Sequence, residues 1–421
     1  MSEVPAPHSP VDLAIVGGGL VGSSLALALA PLGLRIVLIE AVAPGAGEAS
    51  HPSFDERTTA LANGTMRVFK ALGVWTSMEP EAAPIRRIHV SEQGRFGSAR
   101  ISAEEQGLEA LGYVLPNRVI GAALWAGVAR LPAIEVLAPA TVVGTEPGEG
   151  VRWLRVERGG TEERVAARLV VAADGARSRL REQAGIGAEH LDYHQTAIIS
   201  TVAPQRFHDH VAYERFTPEG PIAVLPLQDG RCGLVWTRPP EEAQRLLAVS
   251  EETFLAEFQA AFGLRLGRFR RLGRRFAYPL VLSRAQHHVA ERIAVVGNAA
   301  QGLHPIAGQG FNLGLRDAAC LAEVLADALA VHGRIDAGDA GLLAAYAQWR
   351  DEDRRRIVAF TDGLVRLFAN PLGVVRGVRA AGLLAFELFP PAKAAMARLS
   401  VGAAGRIPRL ARGVPLAGVG P

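Results

Sequence analysis

A glycine-rich turn near the start of the chain, Gly17–Gly22, restricts the fold more than any other feature. It follows a continuous apolar run, Val11–Val16, of the kind seen in buried parallel strands, and it leads into a helical pattern from about Leu20 to Ala30. A second apolar strand ends at Glu40. This order of strand, glycine turn, helix and strand predicts a βαβ unit that opens a doubly wound sheet.

The glycines of this turn follow the spacing Gly-x-Gly-x-x-Gly, which brings a backbone close to a pyrophosphate. Gly17 permits the tight turn, Gly19 permits close approach of the phosphate, and Gly22 permits close packing of helix on strand. Free N–H groups and the helix dipole favour the phosphate charge. Glu40, about twenty residues further on, is placed to accept hydrogen bonds from a ribose. We therefore predict a dinucleotide site at these four residues.

Two further apolar strands end in turns of small residues. Leu169–Ala173 leads to Asp174 and Gly175, and Ile293–Val296 leads to the glycine-rich stretch Gly297–Asp317. Asp-Gly after a strand is by itself usually only a turn. Because ligands of open α/β sheets bind at the carboxyl ends of the strands, however, we expect both turns to lie beside the dinucleotide site.

The predicted fold class is α/β, with a Rossmann-like dinucleotide-binding domain, an inserted antiparallel-sheet substrate domain and a C-terminal helical region. Ala197–Trp236 alternates apolar and polar residues as antiparallel strands do, whereas Phe311–Leu329 and Leu342–Phe360 have helical periodicity. The expected boundaries are residues 1–80, 106–185 and 285–345 for the discontinuous dinucleotide-binding domain, 81–105 and 186–284 for the substrate domain, and 346–421 for the helical region.

The composition argues against several other classes of protein. The chain has 421 residues, 49% of them hydrophobic, and a net charge of +3. Its two cysteines, Cys232 and Cys320, lack the spacing of metal ligands, which argues against a disulfide framework or a zinc site and fits a reducing cytosol. The polar N-terminus does not resemble a signal peptide, and we find no apolar stretch long enough to span a bilayer. The small net charge and the lack of a binding motif argue against nucleic acid as a partner.

Four histidines raise the question of a metal site: His208, His210, His287 and His288. No acid or cysteine accompanies them at the spacing that metal ligands show. We therefore interpret them as surface residues and predict no metal site.

Together, the three strand-end motifs resemble those of the class A flavoprotein aromatic monooxygenases, which share the para-hydroxybenzoate hydroxylase fold. A closer similarity is to the FAD-dependent hydroxylases of ubiquinone biosynthesis, and it rests on Asp55–Leu61, Pro116–Ile120 and His304–Gly314. Gly297–Gln301 and Leu364–Asn370 most resemble the 2-polyprenyl-6-methoxyphenol hydroxylase branch of that family.

The resemblance implies FAD as the cofactor, with NAD(P)H as its transient electron donor, so that the dinucleotide-binding domain is an FAD-binding domain. Gly308 and Gly310 would let the backbone approach the flavin ring, and the helix that begins there would direct N–H groups towards it. Where the wider superfamily has Gly-Asp, this chain has Gly297 and Asn298, and Asn accepts a hydrogen bond without charge. Beyond Gly17, Gly19, Gly22 and Glu40, cofactor contacts are implied for Arg57, Asn117, Arg118, Asp174, Gly175, Asn298, Pro305, Gly308, Gln309, Gly310 and Asn312.

Two residues are candidates for a catalytic role. His304 has a side chain suited to proton exchange near neutral pH, and the alternative is that it packs beside Pro305 and positions the loop. Arg57 resembles the family's arginine near the flavin and would face either the ring or the active-site loop.

The activity implied is hydroxylation of a polyprenylated phenol with O2, the best match being conversion of 2-polyprenyl-6-methoxyphenol to 2-polyprenyl-6-methoxy-1,4-benzoquinol. Three alternatives stay open. They are a sister hydroxylase acting at another ring carbon, a flavoprotein that reduces polyprenyl groups, and a non-catalytic lipid-binding scaffold.

The tail from Gly363 onward is strongly basic, with one acid, Glu387, and eight basic residues: Arg366, Arg376, Arg379, Lys393, Arg398, Arg406, Arg409 and Arg412. One interpretation is a helical layer that covers the sheet. The other is association with anionic lipid or with partner subunits, including other ubiquinone-biosynthesis proteins or further copies of this chain. Because a polyprenyl phenol resides in the membrane, we favour a cytoplasmic protein held at the inner face of the cytoplasmic membrane.

Overall fold

The structure, a computed structural model, describes residues 9–42, 57–95, 97–302, 309–369, 396–398 and 401–416, and of residues 309 and 356–369 it describes the backbone. His304, Pro305 and Gly308, for which we predicted site roles, therefore lie outside the described residues. So does most of the basic tail.

Twenty strands occur in the described part of the chain. In chain order they are β1 (Val11–Val16), β2 (Ile36–Ile39), β3 (Thr58–Ala62), β4 (Ala83–Ile85), β5 (Arg87–Glu92), β6 (Ser98–Ser102), β7 (Gly112–Pro116), β8 (Ile134–Leu137), β9 (Thr141–Gly148), β10 (Val151–Arg158), β11 (Thr161–Ala172), β12 (Ala188–Pro204), β13 (Val211–Thr217), β14 (Gly220–Pro226), β15 (Cys232–Arg238), β16 (Phe269–Leu272), β17 (Phe276–Ala285), β18 (Val289–Ala290), β19 (Ile293–Val295) and β20 (Gln301–Gly302).

Nine α-helices accompany them within the same described ranges. They are α1 (Leu20–Leu29), α2 (Asn63–Ala71), α3 (Trp75–Met78), α4 (Asn117–Ala129), α5 (Arg179–Gln183), α6 (Pro240–Ala248), α7 (Glu251–Phe262), α8 (Gln309–His332) and α9 (Ala340–Ala369). None of these helices is both long enough and apolar enough to cross a membrane.

A parallel sheet forms the first layer, with the strand order β19-β11-β1-β2-β8. The opening β1–α1–β2 unit confirms the βαβ prediction. Side chains of β1 alternate between two cores, with Leu13 and Ile15 packed on the side of α1 and α8, and Ala14 and Val16 on the other side. Burial on both faces explains why the strand is apolar throughout. The long β11 also pairs antiparallel with β10, which pairs with β9.

A larger sheet of nine strands forms the second layer, in the order β20-β17-β12-β15-β14-β13-β5-β6, with β16 paired to β12. Its pairs are antiparallel, as predicted for Ala197–Trp236, except that β5 runs parallel to β13. One face packs Trp236 against Phe254 and Phe258 of α7. The opposite face lines a large cavity. A third, three-stranded sheet, β3-β7-β4, adds Thr58–Ala62 to the wall of that cavity.

The surface interpretation of the histidines is wrong for two of them. His208 and His288 are each only 1% exposed. His208 Nε2 lies 2.9 Å from the carbonyl oxygen of Leu227, and burial lowers the pKa of this histidine. These rings are part of the packing, and the lack of nearby metal ligands in the sequence, on which the surface interpretation rested, says nothing about burial. No group of histidine, cysteine or acidic side chains able to hold a metal ion occurs in the part of the chain that the structure describes.

Candidate active site

The carboxyl ends of four parallel strands open into one cavity of about 1290 Å³. We call the residues that follow β1, β2, β11 and β19, together with the start of α8, the dinucleotide wall. It consists of Gly17, Gly19, Glu40, Asp174, Gly175, Asn298 and Gly310. The three turns that we expected to meet at this edge are therefore brought together.

The glycine turn is as tight as its motif requires. Gly17 has φ +105°, and a Cβ there would lie 2.4 Å from the carbonyl oxygen of Ala173. A Cβ at Gly22 would lie 1.9 Å from the carbonyl oxygen of Gly17. Only glycine fits at either position, and the start of α1 thereby approaches the cavity with its first N–H groups free for an anion.

Glu40 lies at this turn and holds it together. Its side chain accepts hydrogen bonds from the N–H of Gly18 at 2.6 Å and from the N–H of Val42 at 3.0 Å. Glu40 is 8% exposed and lines the cavity. Each carboxylate oxygen can accept more than one hydrogen bond, so the predicted contact with a ribose is compatible with this structural role.

Asp174 presents an unsatisfied acceptor. Its Oδ2 accepts a long hydrogen bond of 3.4 Å from the N–H of Leu180, whereas Oδ1 is buried and has no hydrogen-bond partner among the described residues. Burial raises the pKa of this carboxyl, against the influence of Ser178 and Arg181. A buried acceptor without a donor is costly. It fits a ligand that brings hydroxyl groups, as the ribityl chain of FAD does.

Of the predicted cofactor contacts Arg57, Asn117 and Arg118, the first two line the cavity and Arg118 does not. The guanidinium of Arg57 stands 4.9 Å from the ring centroid of Tyr278, and both residues line the cavity. Asn117 also lines it, and its Oδ1 accepts a 2.6 Å hydrogen bond from the Thr59 hydroxyl. Arg118 instead pairs with Glu81 at 2.9 Å, away from the lining.

Asn312, which we predicted as a cofactor contact, lines the cavity but uses its amide to fasten α8. Its Oδ1 accepts hydrogen bonds from the N–H of Ala62 at 2.8 Å and the hydroxyl of Thr65 at 2.7 Å. Its Nδ2 donates to the carbonyl of Ala60 at 3.0 Å. These bonds join the start of α8 to β3 and α2. The sequence offered no signal for this role because the partners lie about 250 residues away.

A buried ionic network supports the turn after β19 from behind, and the sequence analysis missed it. Asp317 is fully buried and accepts hydrogen bonds from the N–H of Gly297 at 2.9 Å and from Arg350 Nε at 2.7 Å. Arg350 also binds Asp353 at 2.6 Å, and Arg316 binds the same carboxylate at 2.7 Å. Burial of paired charges of this kind fixes a geometry, here that of the turn bearing Asn298.

The opposite side of the cavity is the exposed face of the nine-stranded sheet, which we call the sheet wall. Its residues lie in register across neighbouring strands: Val90, Glu214, Ala223, Val235 and Ile199. Glu214 is the acidic member of this otherwise apolar set. It was not among the predicted site residues, although a carboxyl at the inward position of an alternating strand is a usable signal.

The residues present fit FAD. The glycine turn leaves room for a pyrophosphate, Glu40 stands where a ribose hydroxyl would bind, and the free Oδ1 of Asp174 calls for a hydroxyl donor. The ideal Cβ of Gly310 meets no described atom within 4 Å, so the start of α8 is open to the cavity. When bound, FAD supplies redox chemistry and the activation of O2 for transfer to an aromatic ring.

Comparison with known proteins agrees with this geometry. The model of the FAD binding domain family matches residues 10–361. Ubiquinone hydroxylase UbiL of Rhodospirillum rubrum is 42% identical over 409 residues, which cover 96% of this chain and 93% of that protein. The 3-demethoxyubiquinol 3-hydroxylase of Escherichia coli is 34% identical, with coverage of 90% and 95%.

Solved structures share the fold at lower identity. p-Nitrophenol 4-monooxygenase PnpA of Pseudomonas putida superposes with a TM-score of 0.77 at 18% identity, over 94% of this chain and 99% of that one. This likeness supports the architecture of two sheets around a cavity and says nothing of the substrate. The family match and the two relatives, taken with the cavity, give the identity: the chain belongs to the FAD-binding domain family, in the group that includes the ubiquinone hydroxylases, and is an FAD-dependent monooxygenase.

Proposed function

We propose that this chain hydroxylates the ring of a polyprenylated phenol in ubiquinone biosynthesis. The observation that carries the proposal is the 42% identity to ubiquinone hydroxylase UbiL across nearly the full length of both chains. The apolar sheet wall supports it, because a ring with a prenyl substituent needs a water-poor surface beside the flavin. The specific substrate that we propose is 2-polyprenyl-6-methoxyphenol, oxidised para to its hydroxyl.

In this proposal each residue of the dinucleotide wall has a role in holding FAD. Gly17, Gly19 and Gly22 let the start of α1 bind the pyrophosphate, and Glu40 accepts from the adenosine ribose. Asp174 accepts from a cofactor hydroxyl through its free Oδ1. Asn298 and Asn117 line the same cavity, and their amides would complete the hydrogen bonds of the ribityl chain.

For the reaction itself, the protein must orient the substrate against the cofactor and exclude water from the site. With FAD bound, the start of α8 would direct its N–H groups at the flavin edge and stabilise negative charge there. Arg57, held over Tyr278, adds positive charge between the cofactor and the substrate. The apolar members of the sheet wall exclude water. NAD(P)H is the proposed electron donor.

The experiment is a substrate-resolved turnover assay. Purified, FAD-loaded protein is given NAD(P)H and a short-chain 2-prenyl-6-methoxyphenol, and O2 uptake and the quinol product are measured together. Coupled O2 uptake and product support the proposal. O2 uptake without hydroxylated product rejects the proposal and favours the non-catalytic scaffold. Reduction of the prenyl double bonds rejects it in favour of a prenyl reductase.

A second candidate is hydroxylation at another ring carbon. The observation that favours it is the 34% identity to the 3-demethoxyubiquinol 3-hydroxylase of Escherichia coli. Intermediates that accumulate in a deletion strain distinguish the two, since loss of the proposed enzyme leaves the 6-methoxyphenol, and loss of the alternative leaves a demethoxy species.

We also propose that the protein works at a membrane surface, because its substrate resides there. Two arginines of the basic tail instead support the other interpretation of the tail, a layer packed on the rest of the protein. Arg409 pairs with Asp327 at 2.5 Å, and Arg406 stacks 3.8 Å from the ring centroid of Trp349. Co-sedimentation with anionic and with neutral vesicles tests this, and equal binding to both, or to neither, rejects an electrostatic attachment.

A further inference from the structure

A single carboxyl faces the apolar side of the cavity. On β13 the side chains of Ala212, Glu214 and Phe216 line the cavity, as the two-residue period of a strand requires. The intervening Arg215 points to the other face, where its Nε donates to the carbonyl of Ala261 at 3.0 Å. Glu214 is therefore on the substrate side of the sheet by the register of its strand.

The cross-strand neighbours of Glu214 are apolar and give its carboxyl no hydrogen bond or opposite charge. Across β5 it is paired with Val90 and across β14 with Ala223, and the row continues through Val235. No hydrogen bond or ion pair joins its carboxyl to another of the described residues. This environment, through desolvation alone, raises the pKa of Glu214 to about 8.

Other charged or titratable groups are placed elsewhere on this lining or on the other face. Tyr213, the preceding residue, contributes to the cavity lining, but its ring packs edge-on against Phe262. Arg57 and Tyr278, which also line the cavity, stack on each other. A carboxyl without a partner in an apolar cavity lowers stability, and a ligand that supplies the missing hydrogen bond offsets that cost.

We propose that Glu214 is the acid–base residue that binds the ring hydroxyl of the phenol and takes its proton. This inference rests on the function proposed above and adds the residue that would recognise the substrate. The O–H bond of the phenol breaks, a bond forms between that proton and a carboxylate oxygen of Glu214, and the electron pair stays on the ring oxygen. No oxidant is needed for this step.

The proton transfer prepares the ring for oxygen. Phenolate has more electron density at the ortho and para carbons than phenol has, and these are the positions that an electrophilic oxygen attacks. After hydroxylation, Glu214 returns its proton to the ring oxygen, and the quinol leaves neutral. A group whose pKa is near the working pH is suited to both directions of this exchange.

The test compares Glu214→Gln with Glu214→Asp and with a matched control, Glu163→Gln. Glu163 is an exposed glutamate on β11, outside the cavity lining. Gln keeps the size of Glu and one acceptor oxygen but cannot take a proton. In FAD-loaded protein with a 2-alkyl-6-methoxyphenol, we expect the wild-type rate to rise with pH through an inflection near 8, with Glu214→Asp and the control retaining an inflection.

For Glu214→Gln we expect a rate lower by about 100-fold, with no such inflection. A fluorinated phenol ionises at lower pH and depends less on a base, so it should reduce the difference in rate between wild type and Glu214→Gln. An independent readout is the difference spectrum of phenol ionisation on binding to oxidised enzyme, which should appear at high pH in wild type and be absent in the Gln variant. Flavin content and the unfolding transition report whether each variant is folded.

The outcomes separate the two proposals. If wild type hydroxylates no phenol, the proposed function fails. If wild type hydroxylates the phenol and Glu214→Gln keeps its rate, its pH profile and the ionisation spectrum, Glu214 has no acid–base role and the proposed function stands.

Discussion

The two sides of the cavity are built on different principles. The dinucleotide wall consists of turns at the ends of parallel strands, and it presents backbone N–H groups with a few polar side chains such as Glu40 and Asp174. The sheet wall presents every second side chain of antiparallel strands, and these are apolar except at Glu214. One side is shaped to a cofactor through backbone geometry, and the other to a substrate through side-chain pattern.

This difference decides what a substitution does. At Gly17, on the dinucleotide wall, the backbone leaves no room for a Cβ, so a larger residue there acts through sterics. On the sheet wall the volume is open to the cavity, and changes act through polarity and protonation.

The largest effect is expected at Gly17. Gly17→Ala places a Cβ 2.4 Å from a carbonyl oxygen at φ +105°, and we expect a loss of about 3 kcal/mol or more in unfolding free energy together with loss of bound FAD. Gly33→Ala is the matched control, since its φ is +73° with no described atom within 4 Å of the new Cβ, and should cost about 1 kcal/mol. Flavin content and chemical denaturation measure both, and equal effects would show that sterics at the wall are unimportant.

The next effect concerns protonation of Glu214 in the cofactor-free protein. Its folded pKa of about 8 lies above the ordinary value of 4.5, so the folded state binds the proton more tightly than the unfolded state. The stability from this proton is complete below about pH 4.5 and is lost as pH rises through 8, by about 2 to 4 kcal/mol after allowance for exposure to the cavity.

Glu214→Gln should remove this dependence. Relative to wild type, the variant should gain unfolding free energy between pH 5 and pH 8.5. Urea denaturation at several pH values measures it, and parallel curves for the two proteins would contradict a raised pKa.

Asn312 should affect stability more than cofactor affinity. Asn312→Ala removes three hydrogen bonds to Ala60, Ala62 and Thr65, and should cost about 2 to 3 kcal/mol. Thr65→Val removes one of them and should cost about 1 kcal/mol. Flavin titration of the folded fraction is the second measurement, and a tenfold or greater loss of affinity in the Ala variant would make Asn312 a direct cofactor ligand.

The smallest effect is expected at Asp174. Asp174→Asn keeps the shape but removes a buried charge, whose pKa is raised by desolvation. We expect FAD affinity about tenfold lower, since a charge-assisted hydrogen bond is lost, and cofactor-free stability higher by about 1 kcal/mol at pH 7. Asp229→Asn, on an exposed side chain, is the control, and unchanged affinity at Asp174 would remove it from the cofactor contacts.

The same difference explains what the sequence could predict. Gly17 and Glu40 directly follow strands, and Asp174 comes two residues after one, so local order sufficed to bring them to one edge of the sheet. Arg118 lies beside Asn117 in sequence but away from the cavity lining, because one helical step turns its side chain towards Glu81; its cofactor contact stays a prediction. The roles of Asn312 and Asp317 depend on partners far along the chain, and nothing local identifies those partners.

Glu214 is a residue whose strand could be predicted from the sequence but whose role could not. Its strand could be expected from alternation, but which face of the strand looks into the cavity depends on α7 packing against the opposite face. The sequence shows Glu214 as a polar residue within a predicted strand. Its raised pKa could be inferred only once its cross-strand neighbours, Val90 and Ala223, were known.

The strand order of the parallel sheet has a consequence for how this protein is made. β1 lies between β2, its near neighbour in the chain, and β11, which itself pairs with β19 nearly 300 residues from the start. During synthesis the edge that holds the cofactor is thus incomplete until β19 and the start of α8 have emerged from the ribosome. Such long-range pairing slows folding and leaves apolar strands uncovered meanwhile. The dinucleotide wall is accordingly a late product of folding, although its motif is among the first residues to be translated.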